Sequence, residues 1–99
     1  MLTGPLCRAA RALVEISREK LARISGIDEG IVEAFERSLA RPDDAKIARL
    51  KATLEELGAV FIPEDNRGAG VRIKFTESER RRIATLESEG GITSPDDVP

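Results

Sequence analysis

Apolar residues over the first 58 positions recur at helical spacing between short polar breaks. Leu6, Ala10 and Leu13 are three or four residues apart, behind a Thr3 that can cap a helix starting near Pro5. A later segment repeats the pattern over about three turns, with apolar side chains at Ile47, Leu50, Leu54 and Leu57. These two segments predict the first and fourth helices, and the fourth is expected to begin at Asp43 or Asp44, after Pro42, and to end at Gly58.

Two shorter helices are predicted between them. Ser17 can cap a helix over 18–24, and Gly26 supplies the positive backbone angle that ends it. Asp28 can cap the next helix, which we expect to reach about Arg37. This third helix has two apolar side chains on the side expected to face inward, Val32 and Phe35.

The pattern changes after residue 58. β-branched and aromatic residues at 60–62 and alternating apolar and basic residues at 71–75 predict two strands, joined by a turn-rich loop over 64–70. Thr76 and Glu79 form a capping box that predicts a fifth helix, which ends at a glycine pair at 90–91. The expected fold is mainly α, with five helices and a small hairpin.

The domain organisation follows from these breaks. We expect a helical domain over 1–58, an extension of hairpin and helix over 59–89 that serves as a dimerisation element, and a flexible tail over 90–99. The 99 residues suffice for one compact domain with a thin core, so association is an expected extra source of stability.

Composition narrows the function. The chain has no histidine and one cysteine, Cys7, so the commonest general base is absent and a cysteine or histidine metal cluster is not expected. We expect no enzymatic activity, no cofactor and no metal. No apolar run approaches a membrane span, and the single cysteine suits a reducing compartment, so the expected location is the cytoplasm, without a membrane partner.

Charge is unevenly distributed along the chain. Residues 1–25 carry five basic and two acidic groups, whereas residues 26–45 carry two basic and six acidic groups. Residues 46–75 carry six basic and four acidic groups, and residues 76–99 carry three basic and six acidic groups. Only the first segment has the strongly basic character typical of a nucleic-acid-binding surface.

The predicted second and third helices, with the glycine turn between them, form a helix-turn-helix. In that motif the second helix of the pair lies in the major groove of DNA, and the first crosses the phosphate backbone. The order and spacing of residues 7–13, 17–22, 25–27 and 32–36 also resemble the Cro/phage-repressor (XRE) family of DNA-binding regulators. The resemblance covers about residues 6–57, and residues 58–75 resemble the tail of short regulators of that type.

The resemblance implies a lambda-repressor-like fold and roles for particular residues. Contacts to phosphates or groove edges are expected from Arg8, Arg18 and Arg41. The surface that reads bases is expected to comprise Asp28, which also caps the third helix, and Glu29, Gly30, Glu33 and Ala34. A partly buried ion pair is expected to join the first and third helices through Arg11 and Glu36.

Two features depart from the family pattern. Acidic residues stand at Asp28, Glu29 and Glu33, where the family usually has neutral or basic ones, and the glycine that usually follows the third helix is replaced by residues 37–39. A carboxylate can accept a hydrogen bond from cytosine N4, but near phosphates it is more often unfavourable.

We therefore carry two hypotheses. The first is a sequence-specific transcriptional regulator, a repressor, that binds double-stranded DNA as a homodimer paired through the 60–75 ribbon. The second is a protein-interaction module derived from a helix-turn-helix, such as an antitoxin or anti-activator, whose acidic third helix binds a basic protein partner. The two differ in salt dependence, because a protein that contacts several phosphates loses affinity steeply as salt rises.

Overall fold

The computed structural model describes residues 1–74, which form four helices followed by a hairpin. In chain order the elements are α1 (Gly4–Leu13), α2 (Arg18–Ser25), α3 (Glu29–Glu36), α4 (Asp44–Glu56), β1 (Ala59–Asp65) and β2 (Gly68–Ile73). Each helix begins behind a side chain that accepts a hydrogen bond from a backbone N–H of its first turn. These caps are Thr3, Ser17, Asp28 and Asp43.

The core lies between the four helices and the base of the hairpin. The most completely buried of its larger side chains come from the N-terminal segment and from all four helices: Leu2, Cys7, Leu21, Val32, Leu50 and Leu54. Helix α2 contacts α3 and α4, and α1 contacts α3, α4 and β2. Because each helix places one apolar side toward this cluster, burial of apolar surface supplies the main stabilisation.

The hairpin closes the core on the side of α1 and α4. Strand β2 packs against α1 and β1 against α4. The strands pair antiparallel, with Ala59 opposite Ile73 and Phe61 opposite Val71. Ala59 is buried, and Phe61 and Val71 pack against the core. The opposite side of the ribbon is more open, and Ile62 is 43% exposed there.

The prediction of a five-helix fold is wrong. The described residues form four helices and a two-stranded antiparallel hairpin. The physical reason is that Ala59 belongs to the apolar cluster and Phe61 and Val71 pack against it, so within the described residues the core is formed by four helices and the hairpin. The expected fifth helix, the remainder of the 59–89 extension and the 90–99 tail lie outside the described residues.

The loop of the hairpin is shorter than expected. Residues 64–70 were expected to form it, but the strands extend to Asp65 and from Gly68, which leaves a two-residue turn. The carboxylate of Asp65 accepts a 2.7 Å hydrogen bond from the backbone N–H of Arg67, and Gly68 has a φ of 94°. A register irregularity between Ile62 and Asp65 accommodates the extra residue, which the sequence pattern does not reveal.

Among the described residues, no helix combines the length and the apolar character needed to cross a membrane.

The start of α1 packs directly on the end of α3. A Cβ added at Gly4 would overlap the carbonyl oxygen of Phe35 and lie 2.9 Å from its carbonyl carbon. Both are backbone atoms, which cannot rotate away as a side chain can. Gly4 is therefore required for the close approach of α1 to the end of α3.

We predict that Gly4→Ala lowers the free energy of unfolding by about 1–3 kcal/mol, because α1 must shift away from α3 to admit the methyl group. Chemical denaturation followed by circular dichroism measures this. Gly70→Ala is the control, since the nearest side-chain atom would lie 3.7 Å from the added Cβ. Equal stability of Gly4→Ala and the wild type would contradict the tight contact.

Candidate nucleic-acid interface

Helices α2 and α3 are joined by a tight turn, at the positions that the sequence predicts. Helix α2 is capped by Gly26, whose φ of 73° is left-handed, and α3 starts three residues later at Glu29, behind its cap Asp28. Between them Ile27 is 3% exposed, and its backbone N–H donates to the hydroxyl of Ser25 at 3.3 Å. The buried isoleucine fixes the turn on the core, so α2 and α3 are held in one arrangement.

Helix α3 has one buried side and one accessible side. Val32, Phe35 and Glu36 are buried, whereas Glu29 and Gly30 are exposed. The other two residues expected to read bases, Glu33 and Ala34, are half-buried. The structure thus brings the expected reading residues to the accessible side of α3. We call residues 28–30, 33 and 34 the α3 face.

A buried carboxylate, Glu36, links α1, α2 and α3. Its Oε1 accepts from Nη2 of Arg11 at 2.9 Å and from Nε of Arg18 at 3.2 Å. Its Oε2 accepts from Nε of Arg11 at 2.9 Å and from the thiol of Cys7 at 3.4 Å. Each oxygen therefore accepts two hydrogen bonds, and these four bonds occupy the acceptor sites of the carboxylate. We call these four residues the Glu36 cluster.

The cluster shifts the protonation of its members. Burial alone would raise the pKa of Glu36, but hydrogen bonds and charge from Arg11 outweigh it, so the pKa is lowered. The hydrogen bonds to Glu36 raise the pKa of Arg11. Burial, with the adjacent Glu36 charge, raises the pKa of Cys7 to about 12. At neutral pH the carboxylate is ionised and the thiol stays protonated as a donor.

Arg18, which was expected to contact DNA, has one of its nitrogens bound to a buried carboxylate. Its Nε lies on Glu36, and its side chain is 28% exposed. Sequence reasoning missed this contact and the contact from Cys7. Arg18 is 18 positions before Glu36 in the chain and Cys7 is 29 positions before it, so they meet Glu36 only because three helices pack together. Arg11, which was expected to pair with Glu36, lies 2.9 Å from it.

The other two expected phosphate contacts lie at the surface. Nη2 of Arg41 donates to Asp44 at 2.9 Å and to the sulfur of Met1 at 3.0 Å. Arg8 is exposed on α1 and makes no hydrogen bond or ion pair with the described residues that surround it. To bind a phosphate, Arg41 must therefore leave Asp44 or contact both groups at once. Arg8 can bind a phosphate without breaking an existing contact to the described residues.

The acidic residues of the α3 face have distinct environments. Asp28 Oδ2 accepts from the backbone N–H of Gly30 at 3.0 Å, as an N-cap does. Glu33 pairs with Arg37, one turn later on α3, at 3.2 Å. Glu29 is exposed in the first turn. Capping and pairing offset two of the three carboxylates locally, so the acidic character of the face is weaker than the sequence suggests.

A groove lies between the starts of α3 and α4. Its volume is about 340 Å³, and it is lined by Asp28, Gly30, Ile31, Ala34, Ala40, Arg41, Pro42, Asp43 and Lys46. Gly30 has no side chain and Ala34 has only a methyl group, which keeps the groove open beside the α3 face. At the edge of the groove, the ammonium group of Lys46 pairs with Asp43 at 3.1 Å. The pKa of Asp43 is lowered, mainly because its carboxylate accepts a hydrogen bond from the backbone N–H of Lys46.

The turn after α3 adopts a conformation that favours glycine. Ser38 has a φ of 60°, in the left-handed region. The residue thus takes the backbone angle expected of the missing glycine, and the chain reverses direction without it. Leu39, which follows, is 69% exposed.

Comparison of the sequence with known protein families and with curated proteins finds no match.

We predict that Glu36→Gln lowers the free energy of unfolding by about 3–5 kcal/mol at neutral pH, because it leaves two arginines without their buried counter-charge. Equilibrium denaturation measures the loss. Glu56→Gln, at the exposed end of α4, is the matched control and should change stability little.

The stability of the wild type and that of Glu36→Gln should also respond differently to acid. The folded pKa of Glu36 lies below its ordinary value of 4.5, so its contribution is present above that pH and is lost as pH falls through the folded pKa. The wild type should lose stability below about pH 4.5 more steeply than Glu36→Gln. Parallel curves for the two would show that the carboxylate titrates normally.

Proposed function

We propose that the chain is a DNA-binding transcriptional regulator of the Cro/phage-repressor type. In this proposal it acts in the cytoplasm as a repressor and reads the major groove with α3. The observation that carries the proposal is the α2–turn–α3 unit, whose second helix buries one side on the core and leaves the α3 face accessible. An exposed, capped helix of this kind fits the major groove, which is wide enough to admit it.

The electrostatics favour selective over general DNA binding. A protein that binds any duplex neutralises many phosphates with unpaired basic groups. Here Arg18 is held by Glu36, and Arg41 by Asp44. Glu29 and Glu33 repel phosphates but can accept from the N4 amino group of cytosine. We infer that non-specific affinity is low and that recognition depends on a few base contacts.

Selection of binding sites from random duplexes, at low and at near-physiological salt, tests the proposal. Enrichment of a shared motif that survives the higher salt supports it. Recovery of random fragments that vanish with salt, or of none, contradicts it, because non-specific binding depends almost wholly on phosphate contacts.

We predict that Ala34→Glu weakens binding to the selected duplex at least about tenfold, since it places bulk and a charge where α3 meets the groove. Fluorescence anisotropy measures the affinity. Ala52→Glu is the matched control, because Ala52 is exposed on α4 and lies outside the α3 face. Equal loss in both variants, or in neither, would remove α3 from the interface.

We further propose that the protein pairs through the hairpin. The hairpin is two-stranded within the described residues, and an open strand edge readily pairs with another. Pro63 in β1 has no N–H to donate, which favours β2 as the pairing edge. Such a dimer presents two copies of α3 to successive major grooves about 34 Å apart on an inverted repeat.

We predict that sedimentation at tens of micromolar gives twice the 10.8 kDa mass of one chain. Gly70→Glu, opposite Ile62 on the open side of the ribbon, should shift the mass toward that of the monomer, because a charge on the pairing strand β2 blocks edge-to-edge association. Ala52→Glu is the control, because Ala52 is exposed on α4 and lies outside the hairpin. A monomeric wild type at that concentration would contradict pairing.

The acidic α3 face supports a second candidate, a module that binds a basic protein. Asp28 and Glu29 are exposed beside Glu33, and a basic partner would find them favourable rather than repulsive. In that case Ala34→Glu adds a favourable charge, and a stoichiometric protein partner should be recovered with the wild-type chain in a pull-down. Recovery of no such partner argues against this candidate.

A further inference from the structure

The two arginines of the Glu36 cluster are bound to different extents. Arg11 uses Nε and Nη2 on Glu36, and its Nη1 donates to the carbonyl oxygen of Ile16 at 3.2 Å. Arg18 uses Nε alone, at 3.2 Å. Its two terminal nitrogens make no hydrogen bond to the described residues. All three guanidinium nitrogens of Arg11 are therefore hydrogen-bonded, whereas Arg18 is held through Nε alone.

The charge of the cluster is not balanced. One carboxylate faces two guanidinium groups, so the cluster carries one excess positive charge. Glu36 is fully buried, and Arg11 and Arg18 have 16% and 28% exposed side chains. The excess charge is most accessible at Arg18, which is the first residue of α2. The start of a helix also favours an anion, because its free backbone N–H groups point outward.

We propose that Glu36 is a positioning residue for DNA binding. It is buried and contacts no DNA, but it holds Nε of Arg18 so that the two terminal nitrogens are presented to a phosphate at the start of α2. This inference rests on the proposed DNA-binding function. A guanidinium can bind a carboxylate through one edge and a phosphate through another, and the orientation fixed in the free protein reduces the ordering needed on binding.

If Arg18 contacts Glu36 and a phosphate at the same time, a positive charge at position 18 is not sufficient, and an arginine is required. A lysine has one ammonium group at the end of a flexible stem and cannot present two separate edges. Arg18→Lys therefore keeps the charge but loses the bridge between Glu36 and the phosphate. Arg18→Gln loses the charge as well. Glu36→Gln is less suitable as a test, because it also destabilises the fold.

The test measures affinity for the selected duplex against salt concentration for the wild type and three variants. Arg18→Gln should lose about tenfold in affinity, and its slope of log K against log salt should fall by about 0.9 per half-site, since one phosphate contact is lost. Arg18→Lys should lose several-fold in affinity with the slope unchanged. Arg23→Gln, an exposed charge change on the same helix, should resemble the wild type.

A second measurement locates the phosphate. Single phosphates of the duplex are replaced in turn by uncharged methylphosphonates. One replacement per half-site should weaken the wild type but have no further effect on Arg18→Gln.

Wild-type affinity in Arg18→Lys, or an unchanged salt slope in Arg18→Gln, would overturn the positioning role. Failure of the wild type to bind any duplex selectively would instead refute the DNA-binding function, and it would be seen before any variant is made.

Discussion

The arrangement of the helices depends on the burial of one carboxylate. An ionised group in the interior is strongly unfavourable unless its charge and acceptor sites are matched, and Glu36 is matched by donors from α1 and α2. Moving either helix breaks a hydrogen bond to a group that water cannot reach. Apolar side chains of similar size would stabilise the core as well, but they would tolerate more than one packing angle. The carboxylate therefore selects one geometry for the helix-turn-helix.

Ion pairs also limit the free positive charge on the surface. Arg11 and Arg18 are drawn toward Glu36, and Arg41 and Lys46 are paired with aspartates at the start of α4. These four basic groups are therefore paired, and the α3 face keeps its carboxylates. On the proposed function, binding then depends on the fit of α3 to a particular site more than on general attraction to DNA. On the same proposal, the closeness of the Glu36 cluster to the start of α2 would make stability and DNA binding interdependent.

The sequence predicts the local features of this fold well. The caps at Thr3, Ser17, Asp28 and Asp43 and the left-handed Gly26 are determined by neighbouring residues, and each limits its helix as expected. The number of helices was wrong, and the extent of the hairpin turn was wrong because the shift between Ile62 and Asp65 depends on strand pairing.

Contacts between distant residues were the main omission. Arg18 reads as a surface residue at a helix start, and only the position of α3 against α2 shows that it meets Glu36. The need for Gly4 likewise arises from the approach of α1 to Phe35, and no local pattern signals it. The expected reading residues share the accessible side of α3, since helical spacing alone places them there.

The central claim is that the α2–turn–α3 unit is the surface that meets DNA. Titration of ¹⁵N-labelled protein with the selected duplex, followed through the backbone amide signals, tests it most directly. The account predicts that the largest changes occur at the start of α2 and over residues 28–34, with few in the hairpin apart from its pairing edge. Changes confined to the hairpin, or scattered evenly over the chain, would contradict it.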